Sequence, residues 1–135
     1  MEHDGRVERT TESERFRRES RLRSSQDFQR VRRRGRRQQG QWLILAYARR
    51  IAQPEADVTA PLPTRVGFSV SKRVGSAVKR NRVKRRLREA IRRRVWKTQP
   101  GWDMILIARP DAADADYAAL ASDAHDLLIR ARLLR

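Results

Sequence analysis

Residues 65–92 read RVGFSVSKRVGSAVKRNRVKRRLREAIR, and their pattern predicts a strand, a turn and a helix in succession. In its first part, 65–71, apolar and small side chains alternate: one face takes Val66, Phe68 and Val70, and the other takes Gly67, Ser69 and Ser71. Alternation with a period of two is typical of a β-strand with one buried face. The pattern predicts a strand over 65–71 whose small, polar face borders an open groove instead of a second packed layer.

A basic, glycine-containing turn at 72–78 follows, and a helix is predicted from about Val78 to Trp96. Its apolar stripe has spacings of three to five residues and consists of Val83, Leu87, Ala90, Ile91 and Val95. Such a stripe packs one side of a helix against a core. Segment 72–97 otherwise carries 13 Lys or Arg residues and one acid, Glu89. Because ion pairs within the helix cannot balance that charge, the segment predicts a surface for a polyanionic partner.

The flanking patterns complete the fold. They predict, in chain order, a helix over 24–35, a strand over 42–48, a loop over 50–63, a strand over 104–110 and a helix over 114–134. Residues 36–41 add a candidate short strand. This order predicts an α+β fold, a single small two-layer α/β sandwich with a mixed sheet of about four strands and three helices on one side.

The composition bounds the organisation of the chain. It predicts one domain, residues 21–135, preceded by a disordered, charged tail at residues 1–20. The chain has 135 residues, a formal net charge of +17 and no cysteine, so disulfides and thiolate metal sites are excluded. No apolar run approaches the roughly 18 residues of a membrane span, and the N-terminus lacks the hydrophobic segment of a secretory signal. These features predict a cytoplasmic protein without a membrane partner.

Catalytic side chains are not recognisable in the sequence. His125 is predicted to be a surface or boundary residue of a helix, and the aspartates within 111–116 are predicted to cap a helix and complement its dipole, not to bind a metal. Ser69 and Ser71 have no partner histidine, and no phosphate-loop glycine pattern occurs. We therefore predict no catalytic residue, no metal site and no organic cofactor on the chain.

The order of residues in 65–92 resembles the signature of the bacterial ribonuclease P protein subunit. In that family a strand ends in a basic pair, and Gly-x-Ala, Arg-Asn-Arg, a second basic pair and Arg-Glu follow. The corresponding residues here are Lys72 and Arg73, Gly75 and Ala77, Arg80 to Arg82, Lys84 and Arg85, and Arg88 and Glu89. Residues 21–35 and 103–110 are similar to the family's N-terminal stretch and last strand, so the resemblance runs from about Leu22 to the final helix.

The resemblance implies a function. A family protein binds a large catalytic RNA that removes the 5′ leader of precursor tRNA by Mg²⁺-assisted hydrolysis, and the RNA subunit holds most of the Mg²⁺. The implied partners are therefore ribonuclease P RNA and precursor tRNA, with no protein partner evident, and the protein alone is expected to be inactive. The implied fold is like that of the second domain of ribosomal protein S5, with a left-handed crossover around the basic helix.

The resemblance also implies two sets of contact residues. The RNA subunit would dock on Lys72, Arg73, Arg80, Asn81, Arg82, Lys84, Arg85 and Arg88. The single-stranded leader would lie in a shallow groove formed by Phe28, Arg32, Gly67, Ser69 and Ser71. Phe28 would stack on a leader base. Because the family often has a second aromatic where this chain has Arg32, an ionic contact is expected at that position.

Three other functions fit the charge. A ribosomal or other structural RNA-binding protein would also use a basic helix on a small α/β domain. A self-sufficient nuclease would need a general base or metal site, and a DNA-binding domain would be expected to show helix-turn-helix or zinc-finger spacing. The ordered string from 72 to 89 favours the ribonuclease P subunit.

Overall fold

The computed structural model describes residues 20–51 and 62–134. The elements are α1 (Ser25–Arg34), β1 (Arg36–Gln39), β2 (Leu43–Arg49), β3 (Arg65–Ser69), α2 (Ala77–Arg92), β4 (Trp102–Ala108) and α3 (Tyr117–Arg130). Short 3-10 helices occupy Lys72–Val74, Val95–Lys97 and Pro110–Asp114. The predicted tail lies outside the described residues except for Ser20, as does most of the predicted loop over 50–63.

The four strands form one mixed sheet in the order β1-β2-β4-β3. β2 pairs antiparallel with both β1 and β4, whereas β3 runs parallel to β4. Leu106 of β4 lies between Leu45 and Phe68 of its two neighbours. A parallel neighbour requires a crossover connection, and α2 provides it. The mixed sheet and the three helices confirm the predicted fold class, and β1 confirms the candidate strand within 36–41.

The main core lies between one face of the sheet and helices α2 and α3. The sheet contributes Leu43, Leu45, Tyr47, Val66, Met104 and Leu106, and the helices contribute Val83, Leu87, Ile91, Leu120, Leu127 and Leu128. Most of these side chains are fully buried. Burial of a large aliphatic side chain contributes about 1.5–3 kcal/mol, so this face supplies most of the hydrophobic stabilisation.

Helix α1 covers the opposite face of the sheet. Val31 of α1 is fully buried with Ala46 and Ile105, and Phe28 packs beside them. The prediction that all three helices lie on one side is therefore wrong. The physical reason is that β2 and β4 are apolar on both faces, so each face must be covered by a helix. Helix α1 has too few apolar residues for its sequence pattern to indicate that it covers the second face.

The helix boundaries differ from the predicted ones at their caps. α2 begins at Ala77 because the Ser76 hydroxyl accepts the backbone N–H of Lys79 (3.4 Å), and it ends at Arg92, short of Trp96. α3 begins at Tyr117, not at 114, because Asp116 is its N-cap and accepts the Ala119 N–H (2.8 Å). Side-chain acceptors at this position satisfy backbone donors that have no partner within the helix.

The turn between β1 and β2 is held by a carboxylate from α3. Asp123 accepts the consecutive backbone N–H groups of Gln41 (3.1 Å), Trp42 (2.9 Å) and Leu43 (2.9 Å). Gly40 leaves room for it, because a Cβ there would lie 2.5 Å from Asp123 Oδ1. Asp123 therefore anchors the β1–β2 hairpin to α3. None of the helices in the described ranges is long and apolar enough to cross a bilayer.

Candidate nucleic-acid interface

The exposed side of α2 carries a continuous basic surface. Its buried residues Val83, Leu87 and Ile91 fix the rotation of the helix, which turns Arg82, Arg85 and Arg88 towards solvent. Within residues 20–51 and 62–134, no ion pair or side-chain hydrogen bond involves the predicted RNA-docking residues Lys72, Arg73, Arg80, Asn81, Arg82, Lys84, Arg85 and Arg88. Apart from the buried Nε of Arg80, their donors are therefore available to an external acceptor.

Other cations of the same segment have structural partners. Arg86 donates to the carbonyl oxygen of Ala115 (2.7 Å) and so ties α2 to the start of α3. Arg94 donates to the carbonyl oxygen of Ala90 (2.8 Å). Glu89 contacts Arg92 (2.7 Å) and Arg93 (3.5 Å), and its hydrogen bond from Arg92 is the main reason that the pKa of Glu89 is lowered. The unpaired charge is thus concentrated from the 3-10 turn to Arg88.

The turn before α2 joins the basic pair to the helix. Val74 is buried and anchors the 3-10 helix Lys72–Val74, while Lys72 and Arg73 are exposed beside it. Gly75 follows with φ +143°, a backbone angle that residues with a side chain rarely adopt. A Cβ at Gly75 would also lie 2.8 Å from Cδ of Lys79. The glycine therefore allows the chain to turn directly from the basic pair into α2.

Two of the residues predicted to form the leader groove, Phe28 of α1 and Gly67 of β3, lie next to each other. The ring of Phe28 lies directly against Gly67, and a Cβ on Gly67 would come within 2.5 Å of Phe28 Cε2. Gly67 is buried, Ser69 is half-buried and Ser71 is exposed beyond the end of β3. The expectation of an open face without a second layer is therefore wrong at Gly67, because α1 covers it. The accessible part of this face begins beyond Gly67.

Arg32 lies one helical turn after Phe28 and is exposed. Residues four apart share one side of a helix, so Arg32 and Phe28 border the same side of α1. The backbone carbonyl of Arg32 accepts a hydrogen bond from Arg37 (2.9 Å), which places a second guanidinium beside it. Of the predicted groove residues, Phe28 and Gly67 are in direct contact, and within the described ranges no side-chain hydrogen bond or ion pair joins Arg32, Ser69 or Ser71 to them.

A buried ion cluster beside this groove was missed by sequence reasoning. The fully buried Asp103 accepts hydrogen bonds from Nε (2.8 Å) and a terminal nitrogen (2.9 Å) of Arg65. It also accepts a hydrogen bond from Arg30. Asp27 of α1 contacts both Arg65 (3.2 Å) and Arg30 (3.4 Å). The cluster therefore ties α1 to β3 and β4. An isolated acid at the start of the apolar run 104–108 is the signal that could have indicated it, since a buried carboxylate needs partners.

The charges of this cluster alter the basicity of two arginines. The hydrogen bonds from Arg65 to Asp103 raise the pKa of Arg65. Burial lowers the pKa of Arg50, and repulsion by Arg65 lowers it further. Arg50 donates to the carbonyl oxygen of Pro63 (2.6 Å). The arginines at this end of the sheet are therefore structural and are not counted with the available cations of α2.

Acidic and histidine side chains do not form a metal-binding cluster in the part of the chain that the structure describes. No group of three or more His, Cys, Asp or Glu residues is placed to hold a metal ion there. Asp27 and Asp103 are paired with arginines, and Asp116 caps α3. His125 is half-buried on α3, away from any acidic cluster of this kind. The described residues thus do not fit a magnesium site on the protein.

The fold and the surface define a class: a small α+β protein whose basic crossover helix suits a polyanion. A family model described as Ribonuclease P matches residues 16–132, and the chain belongs to the ribonuclease P protein family. It is a protein component of ribonuclease P, which is a ribonucleoprotein nuclease of tRNA processing.

Similar proteins cover most of this chain. The ribonuclease P protein component of Streptomyces avermitilis is 47% identical over 105 residues, which are 78% of this chain and 85% of the relative. That of Chloroflexus aurantiacus is 43% identical over 120 residues, 88% and 82% of the two chains. Among solved structures, the RNase P protein of Staphylococcus aureus has a TM-score of 0.69 at 26% identity, covering 85% of this chain and 97% of the other. The Thermotoga maritima RNase P protein has a TM-score of 0.66 at 25% identity, covering 82% and 96%.

Proposed function

We propose that this chain binds the catalytic RNA subunit of ribonuclease P through α2 and the preceding basic turn. The observation that carries the proposal is the set of unpaired cations from Lys72 to Arg88 in a member of this family. Arg30 and Arg65, outside this stretch, and Arg86, within it, are instead used in hydrogen bonds of the fold. Repulsion among these clustered like charges destabilises the fold, and a partner that neutralises them removes that repulsion.

The residue types suit an RNA backbone. Arg80, Arg82, Arg85 and Arg88 present planar guanidinium groups that can donate two hydrogen bonds to one phosphate. Lys72, Arg73 and Lys84 add charge, and Asn81 adds an uncharged donor and acceptor. Each phosphate neutralised by a cation releases counterions and contributes roughly 0.7–0.9 to the slope of log K against log salt. Binding by this surface is therefore strongly salt-dependent.

We propose that the 5′ leader of precursor tRNA lies along α1 and the adjoining face of β3. Phe28 would present part of its ring to a leader base, a contact worth about 1–3 kcal/mol. Ser69, Ser71 and the backbone beside Gly67 would approach the leader from the sheet, and Arg32 would contact a phosphate. The close fit of the Phe28 ring on Gly67 supports this arrangement, since it fixes the ring at the border of the groove.

The catalytic chemistry belongs to the RNA in this proposal. Mg²⁺, which assists hydrolysis of the phosphodiester bond at the mature 5′ end, is held mainly by the RNA subunit. The protein holds the leader and neutralises phosphate repulsion, and it has no activity alone. It works in the cytoplasm as part of this ribonucleoprotein.

Cleavage of a precursor tRNA at low Mg²⁺ tests the proposal. The protein alone, a bacterial ribonuclease P RNA alone and the mixture are compared under the same conditions. We expect cleavage in the mixture only, with the cut at the mature 5′ end. Cleavage by the protein alone would mean that the chain carries its own catalytic site. A mixture no more active than the RNA alone would favour a structural RNA-binding protein instead.

A further inference from the structure

The segment after α2 carries an exposed tryptophan that the core does not use. Trp96 lies in the 3-10 helix Val95–Lys97 and is 66% exposed. Trp42 and Trp102, by contrast, pack against the main core. An indole ring has a large apolar surface and gains most when a partner covers it. Trp96 therefore has surface to offer a partner from outside the chain.

One cation lies over this indole, and two others precede it in the chain. The Lys97 ammonium nitrogen lies over the ring, 5.1 Å from its centroid. Arg92 and Arg93 precede it within four positions of the chain and share one carboxylate, that of Glu89. The neighbourhood is thus positive as well as aromatic. An apolar protein surface would have to remove water from these charges, whereas RNA offers a flat base for the ring and phosphates for the cations.

We propose that Trp96 stacks on an unpaired base of the ribonuclease P RNA while Lys97 contacts a phosphate of the same strand. The inference rests on the proposed function, because it extends the RNA surface of α2 to the far end of the helix. At about 1.5 Å of rise per residue, Arg92 lies roughly 15 Å along the helix axis from Arg82. The Trp96 contact is therefore separate from the contact at Arg80 to Arg82 and involves a different nucleotide.

The ribonuclease P RNA is the expected source of this base because Trp96 follows α2, and precursor tRNA is tested as the alternative. The experiment measures the affinity of the full chain for the RNA subunit, and the affinity of the holoenzyme for precursor tRNA. The variants are W96A, W96F and, as a matched control, I129A, which removes an exposed apolar side chain (53% exposed) from α3. Urea unfolding of each variant checks the fold, and its midpoint should not move for these exposed positions.

We expect W96A to weaken binding of the RNA subunit by about 5- to 150-fold, the range that base stacking on an aromatic side chain spans. W96F keeps an aromatic face, so its RNA affinity should stay within a few-fold of that of the original chain. I129A should bind with the same affinity as the original chain. The salt slope of W96A should be unchanged because the indole is uncharged, whereas K97A should lower the slope by roughly 0.7–0.9. A loss of affinity confined to precursor tRNA would overturn the assignment of this contact to the RNA subunit.

Tryptophan fluorescence gives a second readout. Binding of RNA should quench the emission of the original chain, and W96F should remove most of that quenching while still binding. Equal affinity of W96A and the original chain for both RNAs would overturn the proposal, as would equal losses in W96A and W96F. If the original chain itself binds neither RNA, the proposed function fails first. If the original chain binds RNA and W96A binds it equally well, this inference fails and the proposed function stands.

Discussion

The ring of Phe28 on α1 rests on the backbone of Gly67 on β3, with no room for a side chain between them. A Cβ on Gly67 would lie 2.5 Å from Cε2 and 3.2 Å from Cζ of the ring. Real Cβ atoms do not approach carbon atoms at the shorter distance, so either the ring or α1 would have to move. The glycine at 67 therefore sets where Phe28 sits at the border of the proposed leader groove.

Replacement of Gly67 by alanine should displace the Phe28 ring. We expect G67A holoenzyme to bind leader-bearing precursor tRNA several-fold more weakly, with unchanged affinity for mature tRNA, and the fold to lose about 1–3 kcal/mol because the site is overpacked. Paired binding titrations and urea unfolding measure the two effects. In the background of F28A, which leaves space for the new methyl group, G67A should cause little further loss of binding. Additive losses would show that Gly67 acts independently of the ring.

Removal of the Phe28 ring should weaken only the contact with the leader. F28A should lower the affinity of the holoenzyme for precursor tRNA by about 1–3 kcal/mol, because a base loses its stacking partner. F28L keeps an apolar side chain for packing beside Val31 and Ile105 and so separates stacking from stability. We expect F28L to fold normally and to show most of the binding loss. If both variants weaken mature tRNA as much as precursor tRNA, the ring does not contact the leader.

Neutralisation of Asp103 should destabilise the fold. D103N leaves Arg30 and Arg65 facing each other without the buried carboxylate that both contact, and breaking a buried ion pair typically costs about 3–5 kcal/mol. D27N is the matched control, because Asp27 contacts the same two arginines from a partly exposed position, and its loss should cost about 1 kcal/mol or less. Urea denaturation of the three proteins checks this order. Equal costs for D27N and D103N would contradict a special role for the buried carboxylate.

Local patterns in the sequence correctly predicted several elements of the fold. The alternation over 65–71 predicted β3, and the apolar stripe from Val83 to Ile91 predicted both α2 and the side of it that is buried. The same stripe placed the cations of α2 in solvent. These predictions succeeded because each depends on a periodicity within one element, and burial of an apolar face decides that periodicity.

Features that join distant residues were not visible in the sequence. Asp103 meets Arg30 across 73 positions, and Asp123 meets Leu43 across 80. No local period reports such pairs, so the ion cluster and the anchor of the β1–β2 turn appeared only in the structure. The placement of α1 on the second face of the sheet was missed for a related reason. Its amphipathic signal rests mainly on Phe28 and Val31, too few residues to show which face they cover.

The Glu89 carboxylate should contribute to stability in a pH-dependent way. Its pKa is lowered in the folded chain, mainly by the hydrogen bond from Arg92, so the ionised form is favoured by folding. The contribution is therefore present above the ordinary value of 4.5 and is lost as the pH falls through the lower folded pKa. We expect E89Q to melt slightly below the original chain at pH 7, and this difference to shrink as the pH falls below 4.5. A difference that persists undiminished at pH 3 would point to packing instead of charge.

Neutralisation of Arg80 and Arg82 should weaken binding of ribonuclease P RNA and flatten its salt dependence. In R80Q/R82Q, two phosphate contacts are lost, so the slope of log K against log salt should fall by roughly 1.4–1.8. R36Q is the control, because Arg36 is an exposed cation on β1, at the opposite edge of the sheet from β3. Its slope should stay close to that of the original chain. Binding is measured by titration of labelled RNA at several salt concentrations. An unchanged slope in R80Q/R82Q would mean that these two arginines do not contact phosphate, and an equal fall in R36Q would mean that the charge acts only as a diffuse field.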